Sequence, residues 1–299
     1  IKWTFSRMQF LTVSLGFASS QALLLLGAIS FFDIDVEKVL LIGLSTSAFF
    51  GFLGLFFVRK WLAIPTDFKK LKQMLPFAIP YGLICVLSAF SPTLERTLTN
   101  EFLGSNELGL YAAGAKIAML ISLAVNAFQT AWGPFSLSLY KQEDAINTYN
   151  WVLKIFSLSI CLLVLILTLA AKPIITFLAS DKYIDASIVT FPLAMGLAIQ
   201  ATSWITEIGI GISKKSYLSL FTYIAYIAVT LGSILLLAPT FGILGVATGV
   251  MLGHITKAVI SSWLAQKAHH FEWHYKPIIL LLSISILLYA IAIFTKLKL

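Results

Sequence analysis

Charge is scarce in this chain. Only 11% of its 299 residues are Asp, Glu, Lys or Arg, against about 25% in an ordinary soluble domain. That shortage excludes a water-soluble globular protein. Cysteine is rarer still: Cys85 and Cys161 both lie inside apolar runs, which excludes a disulfide framework and a cysteine metal site. Polar stretches such as DIDVEK, KQEDAIN, SDKYID and APTFG are short, so no separate soluble domain fits between the apolar runs. A phosphate-binding glycine loop is missing too, since GISKKSYLS lacks the glycine spacing, and no nucleophile, base and orienting acid assemble from it. What fills the chain instead is apolar surface: 59% hydrophobic residues and a mean hydropathy of +0.92. This is the composition of an integral membrane protein. The net charge of +8 is spread between long apolar stretches, which fits loops on an anionic membrane surface and not a nucleic-acid partner.

About 20 apolar residues span the hydrocarbon as helix, and on that measure the chain divides into nine candidate spans: 9–31, 39–58, 74–97, 108–132, 149–171, 187–211, 217–238, 243–266 and 277–295. The fold class predicted is all-α, a polytopic membrane helix bundle. The first span is too long for a signal peptide, and a second follows at once. Because the chain begins with Ile1 and not Met, its start is expected to be missing, and the odd number of spans leads to the expectation that the C-terminus is cut as well. With the N-terminus inside, twelve Lys and Arg lie on the inner side and five on the outer, with Arg96, Lys116, Lys154 and Lys257 inside spans. This bias places the N-terminus in the cytoplasm and the C-terminus outside. The link RKWLAIPTDFKKLKQM, with five basic residues and Pro65, is either a boundary between two bundles or an ordinary positive-inside loop.

Lys116, in LYAAGAKIAMLISLAVNAFQTAW, is the charge in greatest need of a reason. It lies about nine residues into its span, or about 13 Å deep, where insertion of a charge costs about 2.5–3.5 kcal/mol. It is either a cavity residue that meets substrate or half of a buried pair with Glu95 or Glu207. Gly109, Ala112 and Ala113 share its helical face, as a close contact or a cavity wall. His254, near mid-depth, is a packed hydrogen-bonding residue or a substrate contact. Asn126 and Gln129, three apart, read as interhelical hydrogen-bonding groups or ligand contacts. Gln200 lies on the sixth span with Glu207, which reads as a coupling-ion site or as the partner of a helix-end lysine. Glu95 and Arg96 fall at the outer end of the third span, as anchors or as members of an ion site. Lys154 and Lys257 are within snorkelling reach of the inner surface. In HHFEWH, His270 and His274 have a helical i, i+4 spacing that suits a metal, but with no cysteine and one acid nearby a solvated or membrane-surface segment is the better reading. No metal and no cofactor are expected.

The segment LPFAIPYGLICVLSAFSPTLERTLTNEFLGSNELGLYAAGAKIAMLISLAVNAFQTAWGPFSLSLY, followed by FLASDKYIDA and LLLAPTFGILGVATGVMLGH, resembles the polysaccharide and lipid-linked oligosaccharide flippases of the multidrug/oligosaccharidyl-lipid/polysaccharide exporter superfamily. The likeness covers Leu75 to about Lys267. It implies a division into residues 1–58, the last two helices of an incomplete N-terminal bundle; 59–74, a cytoplasmic link; 75–267, a complete six-helix bundle; and 268–299, a loop and an extra helix. Many relatives have Asp where this chain has Glu95, and an Asn in the helix that here reads AVTLGSILLL, so no role is carried over at those positions. The resemblance implies a multi-pass protein of the bacterial cytoplasmic membrane, not an enzyme. Its cargo would be a polyprenyl-pyrophosphate-linked glycan, such as an O-antigen unit, flipped to the outer leaflet by alternating access, with membrane lipids around it and a glycan polymerase as protein partner. A multidrug antiporter of the same superfamily is the alternative. A membrane polysaccharide polymerase or ligase is more distant because the outer loops are short, and a passive scaffold gives no reason for Lys116.

Overall fold

In hydrocarbon every backbone N–H and C=O must be satisfied within its own segment, so apolar runs of this length have to be helices. The computed structural model of the chain describes residues 7–31, 35–62, 68–140 and 142–297. Lys2, Lys141, Lys298 and the central part of the basic link, with Pro65, lie outside the described residues. Every regular element described is helical: α1 (Arg7–Phe31), α2 (Val36–Val58), α3 (Phe68–Ala118), α4 (Ile121–Leu139), α5 (Ala145–Leu178), α6 (Thr190–Thr206), α7 (Ile208–Ile212), α8 (Ser216–Ala268) and α9 (Lys276–Leu297), with 3-10 turns at Arg59–Trp61 and Asp181–Val189. Among the described residues six helical stretches are long and apolar enough to cross a membrane, one of them the 3-10 segment Asp181–Val189 continued by α6, and α9 is a further apolar helix.

Two of the six are folded back on themselves. α3 has non-helical backbone at Gly104 (φ 82°, ψ 173°) and α8 at Gly242 (φ 58°, ψ −141°). These are left-handed conformations that side chains with a Cβ resist. The Tyr111 hydroxyl reaches back across the first break to Glu95. Counted arm by arm, the described residues give nine apolar passes, in agreement with the sequence segmentation. The third pass is longer than predicted: the helix continues through the polar residues TLTNEF to Gly104, because the apolar count ends where the helix does not. Similarly, the predicted 108–132 span is interrupted at Met119 and Leu120, where 3-10 hydrogen bonds join α3 to α4.

The chain divides into two compact units, Ile1–Leu71 and Lys72–Leu299, the division falling within the 59–74 stretch. In the first unit α1 and α2 pair antiparallel. Phe50 lies against Gly16, where a Cβ would come within 2.7 Å of its ring, and meets Phe17 edge-on at 6.1 Å.

In the second unit α6 is the central helix, buried on nearly every side. Its small residues Ala194, Gly196, Ala198 and Ala201 let neighbours approach closely, the usual solution where lipid removes the hydrophobic drive between helices. The two arms of α8 meet along Gly245, Gly249 and Gly253. A Cβ there would fall 2.3 Å from the Leu237 carbonyl oxygen, 3.0 Å from the Ile234 amide nitrogen and 1.9 Å from Thr230 Oγ1 respectively. The α9 helix belongs to the same unit: Tyr289 stacks on Phe191 at 4.1 Å and donates to the Ile188 carbonyl. The outside is apolar, with Leu169 84%, Phe177 87% and Leu236 77% exposed. A surface of this kind faces lipid, and the protein is a multi-pass membrane protein.

Candidate functional site

A membrane bundle with an apolar exterior has little reason to bury a carboxylate, yet Glu95 is only 9% exposed. The extension of α3 to Gly104 places it more than two turns inside the helix. It therefore stands beside residues near the middle of both α8 arms and not at the outer end of a span, which corrects the depth expected for it. Its carboxylate accepts hydrogen bonds from Ser91 Oγ at 3.1 Å, the Tyr111 hydroxyl at 3.4 Å and the Tyr226 hydroxyl at 3.4 Å. An ionised carboxylate has about four lone-pair sites, and O–H···O bonds cluster at about 2.7–2.8 Å. Glu95 is thus surrounded by donors but held loosely, a condition in which a cation or proton competes for the same oxygens.

Beside it is a cavity of about 250 Å³, lined by Glu95, Arg96, Tyr111, Gln200, Tyr226 and His254 among others. His254 is 5% exposed, and its ring lies 4.7 Å from that of Tyr226. Gly196 leaves room for it: a Cβ at that position would be 2.9 Å from His254 Cδ2. Its Nδ1 is buried with no hydrogen-bond partner among the described residues. A buried orphan of this kind is uncommon. Towards the open end of the α8 hairpin the polar groups continue: Tyr223 lies 5.3 Å from Tyr226, and Lys257 Nζ is 5.6 Å from the Tyr223 ring.

Of the residues singled out from sequence, Glu95, Arg96, Gln200 and His254 share this cavity. Arg96 is exposed. Lys116, Asn126 and Gln129 are elsewhere: all three are exposed and none lines the cavity. Lys116 does not form the buried pair considered for it, since its side chain is exposed and Glu95 is hydrogen-bonded to Ser91, Tyr111 and Tyr226. The helix contact near it is made by Gly114, against Ala186 and Val189. Glu207 stands at the break between α6 and α7, its backbone N–H donating to the Ser203 carbonyl. Lys257 does not snorkel: it is 7% exposed, whereas Lys154 is exposed. The spacing that suggested a metal at His270 and His274 is not helical, because residues 269–275 form a non-helical loop with a tight turn at Phe271–Trp273. Tyr111, Tyr223 and Tyr226 were missed altogether, since tyrosines in an apolar run count as apolar and their hydroxyls point to partners as far as 131 residues away.

Comparison with known proteins agrees with this architecture. Residues 2–188 match the family described as polysaccharide biosynthesis protein. A protein of the Lsg locus of Haemophilus influenzae is 25% identical over 258 residues, which is 81% of this chain and 63% of that protein. The chain therefore spans less than two thirds of the length of that relative. No solved structure matches. An all-helical, multi-pass membrane chain matched over most of its first two thirds is thus placed: it belongs to the polysaccharide biosynthesis protein family.

Proposed function

We propose that the full-length protein is a transporter, not an enzyme. It moves a lipid-linked oligosaccharide or polysaccharide repeat unit from the cytoplasmic to the outer leaflet of the bacterial cytoplasmic membrane, by alternating access between two helical bundles. The observation that carries this reading is Glu95, buried among three hydroxyls beside a polar cavity in a bundle whose exterior is lipid-facing. Ionisable groups inside membranes mark substrate and ion pathways. In this reading Glu95, with Arg96 and Glu207, takes part in ion coupling. Exposed Lys116 meets the pyrophosphate of a polyprenyl carrier, and Asn126, Gln129 and His254 contact the glycan. Family membership supports a glycan cargo. The short link between α5 and α6, a 3-10 segment whose Ala186 and Val189 are buried in the bundle, leaves no outer domain there to carry out sugar chemistry.

The test is export of lipid-linked glycan by cells carrying the full-length protein. Loss of export on deletion, with the glycan accumulating on the inner leaflet, supports the reading; normal export without the protein sinks it. A second reading, a multidrug antiporter, is favoured by the same carboxylate, since a cationic drug prefers a cavity acid. Unchanged drug sensitivity on deletion sets it aside.

A further inference from the structure

We propose that the end of the second unit where α5 and α9 begin binds the phosphodiester headgroup of an anionic phospholipid. A cavity of about 650 Å³ opens there, lined by Asn150, Trp151, Lys154, Trp273, His274 and Lys276 among others. Asn150, Trp151 and Lys154 follow one another at helical spacing on a single face of α5. His274 comes from the loop before α9 and Lys276 is the first residue of α9, so two ammonium groups, one on α5 and one on α9, line one hollow.

The loop side of this hollow is built rigidly. Asn150 holds it from α5, donating through Nδ2 to the Glu272 carbonyl at 2.8 Å and accepting from the His274 amide through Oδ1 at 2.8 Å. Gln266 holds the other side, donating to the Phe271 carbonyl at 2.7 Å and accepting from its amide at 2.9 Å. Trp273 is buried and stacks on Tyr149 at 6.2 Å. The Glu272 carboxylate is not part of the lining. The segment expected to be a solvated or membrane-surface stretch is therefore a fixed wall that presents Trp273 and His274 to the hollow.

A lipid is the occupant that the surroundings favour. Beyond the cavity α5 and α9 turn apolar at once, with Ile155, Leu158, Ile279 and Leu280 exposed, so acyl chains have a surface to follow directly below the headgroup. Trp151, 63% exposed, is the residue type that settles at the headgroup level. The basic-residue bias assigns this end to the cytoplasm, and basic pockets between helices on that side recognise anionic headgroups.

Native mass spectrometry of the purified full-length protein, in a detergent mixture with equal phosphatidylglycerol and phosphatidylethanolamine, tests the assignment. Phosphatidylglycerol should be retained in preference. Lys154→Ala combined with Lys276→Ala should reduce that retention about 5–30-fold, and each single change by less. Arg at both positions should preserve it, and Lys172→Ala with Lys182→Ala, one near the far end of α5 and one in the 3-10 segment after it, should leave it unaltered. Equal retention of the two lipids by the wild type, or undiminished retention by the double Ala variant or by correctly eluting single variants, overturns the proposal. Displacement of the lipid by millimolar inorganic phosphate also overturns it, by identifying a soluble anion as the ligand.

Discussion

The Tyr226 hydroxyl donates to Glu95 across 131 residues of sequence, joining the mid-length of the first α8 arm to α3. Because this contact connects the folding hairpins to the polar cavity, its two ends respond differently to substitution. Tyr226→Phe removes one of three donors and should lower stability by only about 0.6 kcal/mol, the average for a hydrogen bond between membrane helices. Glu95→Gln keeps an acceptor for the hydroxyls but removes the charge. It should leave the protein inserted while reducing export about tenfold or more, equivalent to about 1.4 kcal/mol. Protein level in membranes, measured beside export, separates the two effects. Normal export with Glu95→Gln would remove the acid from the mechanism.

Lys116 is exposed in its unit, so its removal strands no buried partner there. Lys116→Ala should give normal protein level with reduced export, and Lys116→Arg should retain part of the activity because the charge survives on a different donor geometry. Collapse of the protein level on detergent extraction would contradict the exposed placement.

The α8 hairpin provides a prediction of stability. With a Cβ placed 1.9 Å from Thr230 Oγ1, Gly253→Ala must push the two arms apart, and overpacking of this kind costs about 1–3 kcal/mol. Gly232→Ala on the same helix meets nothing within 4 Å and should be neutral or slightly stabilising. Thermal unfolding in detergent checks both. Equal behaviour of the two variants would show that the arms are not in contact along the glycine row.

Orientation is open to labelling. A Cys at Asn147 should be protected from an impermeant thiol reagent in intact cells, and one at Thr240, beside the Gly242 turn, should react. The reverse pattern would invert the topology read from the basic residues.

The helical membrane fold was legible in the sequence because hydrocarbon leaves the backbone no alternative to helices at these lengths. Both reversals were legible as the gaps between spans at 98–107 and 239–242, but that Gly104 and Gly242 make the turns comes from the structure. The site was legible only in part. Glu95, Arg96, Gln200 and His254 stood out as polar residues in or at the edge of apolar runs, but they fall in three separate stretches of chain, and nothing local says that they share a cavity. Tyr111 and Tyr226 were hidden because one side of a tyrosine is as apolar as its neighbours. The depth of Glu95 was misjudged because hydropathy fell at TLTNEF while the helix continued. The loop at 269–275 reads from sequence as a solvated or membrane-surface segment, with no sign of its fixed shape. Its order comes from Asn150 and Gln266 together with the stack of Tyr149 and Trp273, contacts that no local pattern signals.

The central claim is that the full-length protein moves a lipid-linked glycan across the bilayer and that Glu95 takes part. Its most direct test is reconstitution into liposomes that carry a polyprenyl-pyrophosphate-linked oligosaccharide, with an impermeant glycosidase added outside to report the glycan that arrives there. The account predicts glycan arrival well above that of protein-free liposomes, and a rate about tenfold lower with Glu95→Gln at equal protein incorporation. Arrival no faster than in protein-free liposomes, or a wild-type rate with Glu95→Gln, would contradict it.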